Sequence, residues 1–424
     1  MGPGFRVGGG AAGLGLAAVL VRNVAKYKRA TSERFELLES PQPGTPEFAD
    51  LVEAMTGATQ RPGNRVTIMR NGETLDEMVE AISGATRTVD LSSYIYWPGT
   101  IADRFSAALA ERARAGVEVN LILDGYGSAK LGRQERERLR QAGVHVAVYR
   151  PPRWHTLHKA NNRMHRRILL VDGAVGFAGG VGIADVWTGD AQDAEHWRET
   201  HLRIEGPVLR DLYGAFLENW SEASAQVLTR DHIPGGGGFE DGVEVVASRS
   251  TPNGWATATT LIFSAAIAGA RERLWLTTAY FVPDRASEDL LCASARRGVD
   301  VRLLINGQRV DKEVARQAGR RSYAKLLDAG VRIFEYNQTM LHAKVMLVDD
   351  GWANVGSGNF DNRSLDLDLE LNVAVADPDC VAELEGHFLE DLAVSEEIDP
   401  QAWRNRPWRT RLKEGATEMV RQSL

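Results

Sequence analysis

Two stretches of the chain place an imidazole two residues ahead of a basic side chain. His165 and Arg167 open one, "MHRRILLVDG", and His342 and Lys344 open the other, "LHAKVMLVDD". On a strand, side chains two apart share a face, so each imidazole points the same way as its cation. A cation beside an imidazole would repel a metal ion but suits an anion. The fixed charge can hold phosphate oxygens while the imidazole attacks phosphorus or moves a proton. A two-step substitution needs two such rings, one as nucleophile and one as general acid and base. Two copies of the stretch supply both, provided the fold brings them together.

A longer pattern surrounds each pair. It reads His, any residue, a basic residue, four residues, Asp, six residues, then Gly-Gly or Gly-Ser. The first copy is His165, Arg167, Asp172, Gly179 and Gly180; the second is His342, Lys344, Asp349, Gly356 and Ser357, with Asn359 two further on. Both aspartates belong to the catalytic pattern. Their parity is opposite to the histidines, or they lie in the turn beyond the strand, which suits a structural partner. A single histidine at the head of a strand is ordinarily a packing or surface residue. The matched second copy favours chemistry.

The elements that must position these residues also occur twice. "VDLSSYIYWPG" parallels "LWLTTAYFVPD", "ARAGVEVNLILDG" parallels "ARRGVDVRLLING", and "LRQAGVHVAVY" parallels "LLDAGVRIFEY", in the same order ahead of each histidine stretch. Each half reads strand, helix, strand, helix, strand, strand. The helices carry apolar residues at helical spacing and end near Gly. This predicts an α/β fold of two sandwich repeats with mixed sheets, packed as a pseudo-two-fold dimer. Residues 1–60 read as an N-terminal segment, 61–234 and 235–400 as the repeats, and 401–424 as a basic, Trp-containing tail. "HIPGGGGFEDG" at 232–242 has the composition of a linker.

Composition is that of an ordinary globular protein: 424 residues, 43% hydrophobic and 25% charged, with a net charge of −7. The acidity argues against nucleic acid as a partner. Two cysteines, Cys292 and Cys380, give no disulfide framework or metal motif and fit a reducing compartment.

With the repeated motif in view, the chain resembles the phospholipase D superfamily, and within it bacterial cardiolipin synthases. The likeness runs from about residue 66 to residue 395 and includes "WRETHLRIEGPVLRDLYGAFLENW", "YFVPD" and "MLHAKVMLVDDGWANVGSGNFDNRSLDLDLELNV". The second motif matches H-x-K-x4-D-x6-G-[GS]-x-N in full. The first departs from it twice, with Arg167 in the place of Lys and Gly182 in the place of Asn. The resemblance implies a phosphatidyltransferase that makes cardiolipin from phosphatidylglycerol through a phosphohistidine on His165. His342 would serve as acid and base. Arg167, Lys344 and Asn359 would hold phosphate oxygens, with Ser357 and Gly180 beside them. Glu199 and Glu370 would hydrogen-bond the far nitrogen of each histidine. No cofactor or metal is implied. A phospholipase D hydrolase, another phosphodiesterase or an impaired lipid-binding protein remain alternatives at this stage.

The lipid substrate points to an anionic membrane surface, with the catalytic part on the cytoplasmic side. Residues 7–21 are uncharged but Gly-rich and short for a spanning helix, so the N-terminus reads as a disordered or interfacial segment, with a membrane anchor as the alternative, and the protein as peripheral to the cell membrane or anchored there by its N-terminus. The tail interleaves Trp403 and Trp408 with Arg404, Arg406, Arg409, Arg411 and Lys413, a composition suited to an anionic interface. His155 and His158, in a basic stretch before the first motif, read either as lipid-phosphate contacts or as part of a solvated loop.

Overall fold

The computed structural model describes residues 39–152, 162–228, 232–252 and 256–406. His155, His158, the N-terminal 38 residues and the tail from 407 lie outside them. In the first repeat, Thr88–Ser93, Glu118–Asp124 and His145–Tyr149 run parallel. Ile168–Val171, Val175–Gly179 and Thr200–Glu205 continue the sheet as antiparallel neighbours. The second repeat reproduces the order with Arg273–Thr278, Asp300–Asn306 and Arg332–Tyr336 parallel, followed by Val345–Val348, Trp352–Gly356 and Glu370–Ala376.

Gln60–Arg70 and Val243–Ser250 close the two halves and pair with each other antiparallel, with a register shift between Arg61 and Asn64. This pairing joins everything into one 15-stranded mixed sheet, with Ser395–Glu397 added at the far edge of the second half. Strand order on either side of the junction is the same read outward, so the expected pseudo-two-fold relation runs through it.

The apolar runs at the two motifs follow from burial on both faces. Leu169 and Val171 enter a core beneath the outer helices of the first repeat, whereas Ile168 and Leu170 enter a core shared with the second. Met346 and Val348 face the second repeat's outer core, and Val345 and Leu347 face the shared one. Helices Leu209–Ser224 and Pro378–Ala393 contribute Phe216, Trp220, Leu384 and Phe388 to the shared core.

Two terminal expectations change. Helix Pro46–Thr56, which falls in the N-terminal segment by sequence, packs on the second repeat: Phe48 and Val52 are buried there, with the Phe48 ring edge-on to Trp352 at 5.7 Å. Trp403 of the tail is not at the surface. Its ring is 5% exposed, lies 4.9 Å from the Tyr323 ring and is covered by the Arg406 guanidinium at 3.7 Å. Among the described residues no helix is long and apolar enough to cross a membrane.

Candidate active site

Both histidines lie in extended segments just ahead of their strands, and each segment bridges to the other repeat. Met164 pairs in parallel with Leu369, and Arg198 with Leu341. His165 N donates to Leu369 O at 2.9 Å, and His342 N donates to Arg198 O at 2.7 Å. Each segment is also clamped from its own repeat. The Asn306 side chain donates to Leu341 O and accepts from Leu341 N, at 2.7 and 2.8 Å. At the corresponding place Asp124 accepts from Met164 N at 3.1 Å.

The cross-bridging sets the central geometry: each imidazole takes its carboxylate from the opposite repeat. His165 Nδ1 donates to Glu370, 2.9 and 3.0 Å from its two oxygens. His342 Nδ1 pairs with Glu199. A carboxylate at Nδ1 fixes the tautomer and leaves Nε2 for chemistry. Sequence assigned the two glutamates to this task without showing that the repeats exchange them.

The cations sit beside the rings. Arg167 donates to His165 Nε2 at 2.8 Å and to His165 O at 2.6 Å. Lys344 Nζ lies 2.9 Å from His342 Nδ1 and also donates to His342 O. Arginine's greater reach thus carries it around the ring to the reactive nitrogen, whereas lysine stops at the near one. Both cations are 3% exposed. Asn359 is equally buried, and its Oδ1 has no hydrogen-bond partner among the described residues, nor has Arg167 Nε. Amide orientation is an assignment made from the network, so Asn359 can present an N–H₂ donor in the same place.

Burial holds both imidazoles well below their ordinary pKa, and the adjacent cation adds to the effect: Arg167 at His165, Lys344 at His342. Lys344 also acts on His165, and Arg167 and His165 act on His342, so the two centres share one electrostatic environment. Burial raises the Glu199 and Glu370 carboxyls and lowers Lys344 to about 7. Two buried cations beside the rings disfavour further positive charge. A phosphodiester anion bound between them offsets those cations and raises the proton affinity of the rings.

Of four residues expected in the reacting set, two lie in turns beyond the motif strands and two stand against the glutamates. Asp172 and Asp349 occupy left-handed turns, at φ 54° and 51°, beyond their strands. Asp172 accepts from Thr86 N, Arg87 N and Thr88 N, at 2.9, 2.7 and 2.9 Å. Asp349 accepts from Arg271 N, Glu272 N and Arg273 N, the closest at 2.8 Å. Their carboxylates tie each turn to the start of the neighbouring strand and contribute no catalytic group. Ser357 donates its hydroxyl to Glu370. Gly180 backs Glu199: a Cβ there would lie 2.6 Å from the carboxyl carbon.

The first-motif departure at Gly182 has a packing cause. A Cβ on Gly182 would meet the Trp187 ring at 2.8 Å. That ring lies edge-on to His342 at 5.2 Å, with Trp197 on another side at 5.5 Å. Tyr94 packs edge-on to His165 at 4.8 Å.

Sequence reasoning missed these three aromatic residues, although Tyr94 belongs to the first repeated block and Trp197 to "WRETH". It also missed two buried arginines. Arg166 donates to Glu370 O at 3.2 Å, Ser250 O at 2.9 Å and Glu218 at 3.0 Å. Arg198 donates to Glu199 O and is paired with Asp391 at 2.9 Å. Each ties the backbone of one histidine-paired glutamate to a helix.

A duplicated sheet with two exchanged histidine–glutamate pairs defines a two-centre site suited to a phosphate ester. The chain belongs to the family described as cardiolipin synthase, PLD-like domain, whose model matches residues 78–212 and 263–392. It is 32% identical over 386 residues to cardiolipin synthase 1 of Bacillus cereus, covering 88% of this chain and 75% of that one. It is 35% identical over 366 residues to the cardiolipin synthase of Geobacillus kaustophilus, covering 84% and 72%. The fold is similar to that of phosphatidylserine synthase from Haemophilus influenzae, with a TM-score of 0.64 at 13% identity over 85% of this chain and 95% of that one.

Proposed function

We propose that the protein is a phosphatidyltransferase that makes cardiolipin from two molecules of phosphatidylglycerol at an anionic membrane surface. His165 Nε2 attacks the phosphorus of the first lipid. The bond from phosphorus to the glycerol headgroup oxygen breaks, and His342 Nε2–H gives that oxygen its proton. The primary hydroxyl of a second phosphatidylglycerol then attacks the phosphohistidine. Its proton passes to His342, the P–N bond breaks and cardiolipin leaves. Glu370 holds the Nδ1 proton of His165, and Glu199 that of His342. Arg167 moves from the nitrogen it caps to the phosphate oxygens, which Lys344 and Asn359 also hold.

The observation that carries this reading is the pair of buried histidine–glutamate contacts, each built from both repeats and flanked by a buried cation. Family membership and the two synthase relatives support cardiolipin as the product.

The test is product analysis with purified full-length protein and phosphatidylglycerol vesicles. Cardiolipin and free glycerol should appear in equal amounts, and His165→Ala and His342→Ala should each lower turnover by at least about 10³-fold. Phosphatidic acid as the sole lipid product would favour a hydrolase instead. Full activity in either variant would refute the assignment.

A further inference from the structure

Transfer between two phospholipids involves a second phosphate, that of the acceptor, which is not the phosphate under attack. Arg167 and Lys344 are buried against the imidazoles. A further cation, Lys312, is exposed. Lys312 lies in the loop that leaves strand Asp300–Asn306, whose Asn306 side chain clamps Leu341 beside His342. Lys312 Nζ sits 4.6 Å above the Tyr280 ring. The Tyr280 hydroxyl is held by Asp311 at 2.7 Å.

Tyr280 is itself fixed at the pocket. Thr278 Oγ1 donates to Tyr280 O and accepts from Phe360 N, both at 3.0 Å, and Phe360 directly follows Asn359. The lysine is exposed and makes no ion pair among the described residues. Its charge nevertheless reaches both buried imidazoles and adds to the effects that lower their proton affinity. The result is an exposed cation held against an aromatic ring, on the segment that borders the Asn306 clamp on Leu341 and the backbone of Phe360.

We propose that Lys312 binds the phosphate of the incoming acceptor lipid and so favours an anionic phospholipid over water or an uncharged alcohol as acceptor. The inference rests on the phosphatidyltransferase reading and adds to it the group that selects the acceptor. Attack by the acceptor hydroxyl brings two phosphates together near the same pocket. An ammonium beside the second one offsets their repulsion, and its approach to the Tyr280 ring limits the side chain's freedom.

The experiment compares two acceptors with one donor, using full-length protein and phosphatidylglycerol vesicles. Cardiolipin formation reports the phosphate-bearing acceptor. Exchange of labelled free glycerol into phosphatidylglycerol reports an acceptor without phosphate, and phosphatidic acid reports water. Lys312→Gln should lower cardiolipin formation about fivefold, the size of one partly exposed charge contact. Glycerol exchange and hydrolysis should stay within about twofold, which also shows that the variant is folded. Lys312→Arg should restore most of the cardiolipin rate. Equal losses in all three reactions, or no change in cardiolipin formation, would overturn the inference alone. A wild-type protein that exchanges glycerol yet makes no cardiolipin would overturn the underlying reading, and that is visible before any variant is tested.

Discussion

At His165, Nε2 accepts a hydrogen bond from Arg167, so in the proposed mechanism the nucleophile's lone pair is capped until phosphate draws the guanidinium away. At His342 the cation is a lysine that burial, with the charge of Arg167, lowers to about 7. Phosphate binding needs the ammonium form. In the empty enzyme that form prevails below about pH 7 and is lost as pH rises through it, so kcat/KM should fall with rising pH across about pH 6–9. Bound phosphodiester favours the ammonium, and kcat should hold to higher pH. Lys344→Arg, which stays charged throughout, should make the fall shallower and leave the part due to loss of the His342 proton; a flat kcat/KM in the wild type would contradict this assignment. Gly182 gives a second test at this scale. Gly182→Asn restores the family residue, yet its Cβ meets the Trp187 ring that packs on His342. It should cost about 1–3 kcal/mol of stability through overpacking and slow turnover. Trimming the ring with Trp187→Leu in the same chain should recover stability, measured by denaturant unfolding.

Among the elements, the turns after the two motif strands are where an apparent catalytic residue proves structural. Asp349 is 4% exposed and accepts from three successive backbone N–H groups at the head of strand Arg273–Thr278. Asp349→Ala leaves those donors without it and should cost about 2–4 kcal/mol, seen as a lower urea midpoint. Turnover per folded molecule should change by less than about twofold. A large rate loss at unchanged stability would return the residue to the reaction. The short apolar runs, helix stripes and duplicated blocks made the strands and helices legible in the sequence, because burial on both faces leaves a continuous apolar signature. The aspartates were half legible: the motif set them in the catalytic pattern, while their opposite parity already suited the structural role that they take. Arg166 and Arg198 were unreadable: a buried arginine is identified by its acceptors, and these come from elements far apart in the chain.

For the molecule as a whole, the repeats exchange carboxylates. His165 is completed by Glu370, and His342 by Glu199. The repeated motif pointed to two histidines in one site, but only the assembled sheet reveals the swap, because it depends on the short parallel bridges at Met164 and Arg198. Buried as they are, these pairs make each half dependent on the other for a competent imidazole. The first departure from the family motif, Arg167, lies at the ring proposed as nucleophile, whereas the complete motif lies at the proposed acid. The two centres are therefore related in fold and unequal in electrostatics, which suits a reaction whose two rings have different tasks.

That division of labour is tested most directly by trapping the covalent intermediate. Phosphatidylglycerol labelled in its phosphate, mixed with enzyme and quenched at neutral pH during turnover, should leave an acid-labile phosphatidyl adduct that peptide mass spectrometry places on His165. His342→Ala should form the adduct slowly and still carry it there, and His165→Ala should carry none. An adduct on His342, or cardiolipin made at the normal rate by His165→Ala, would contradict the account.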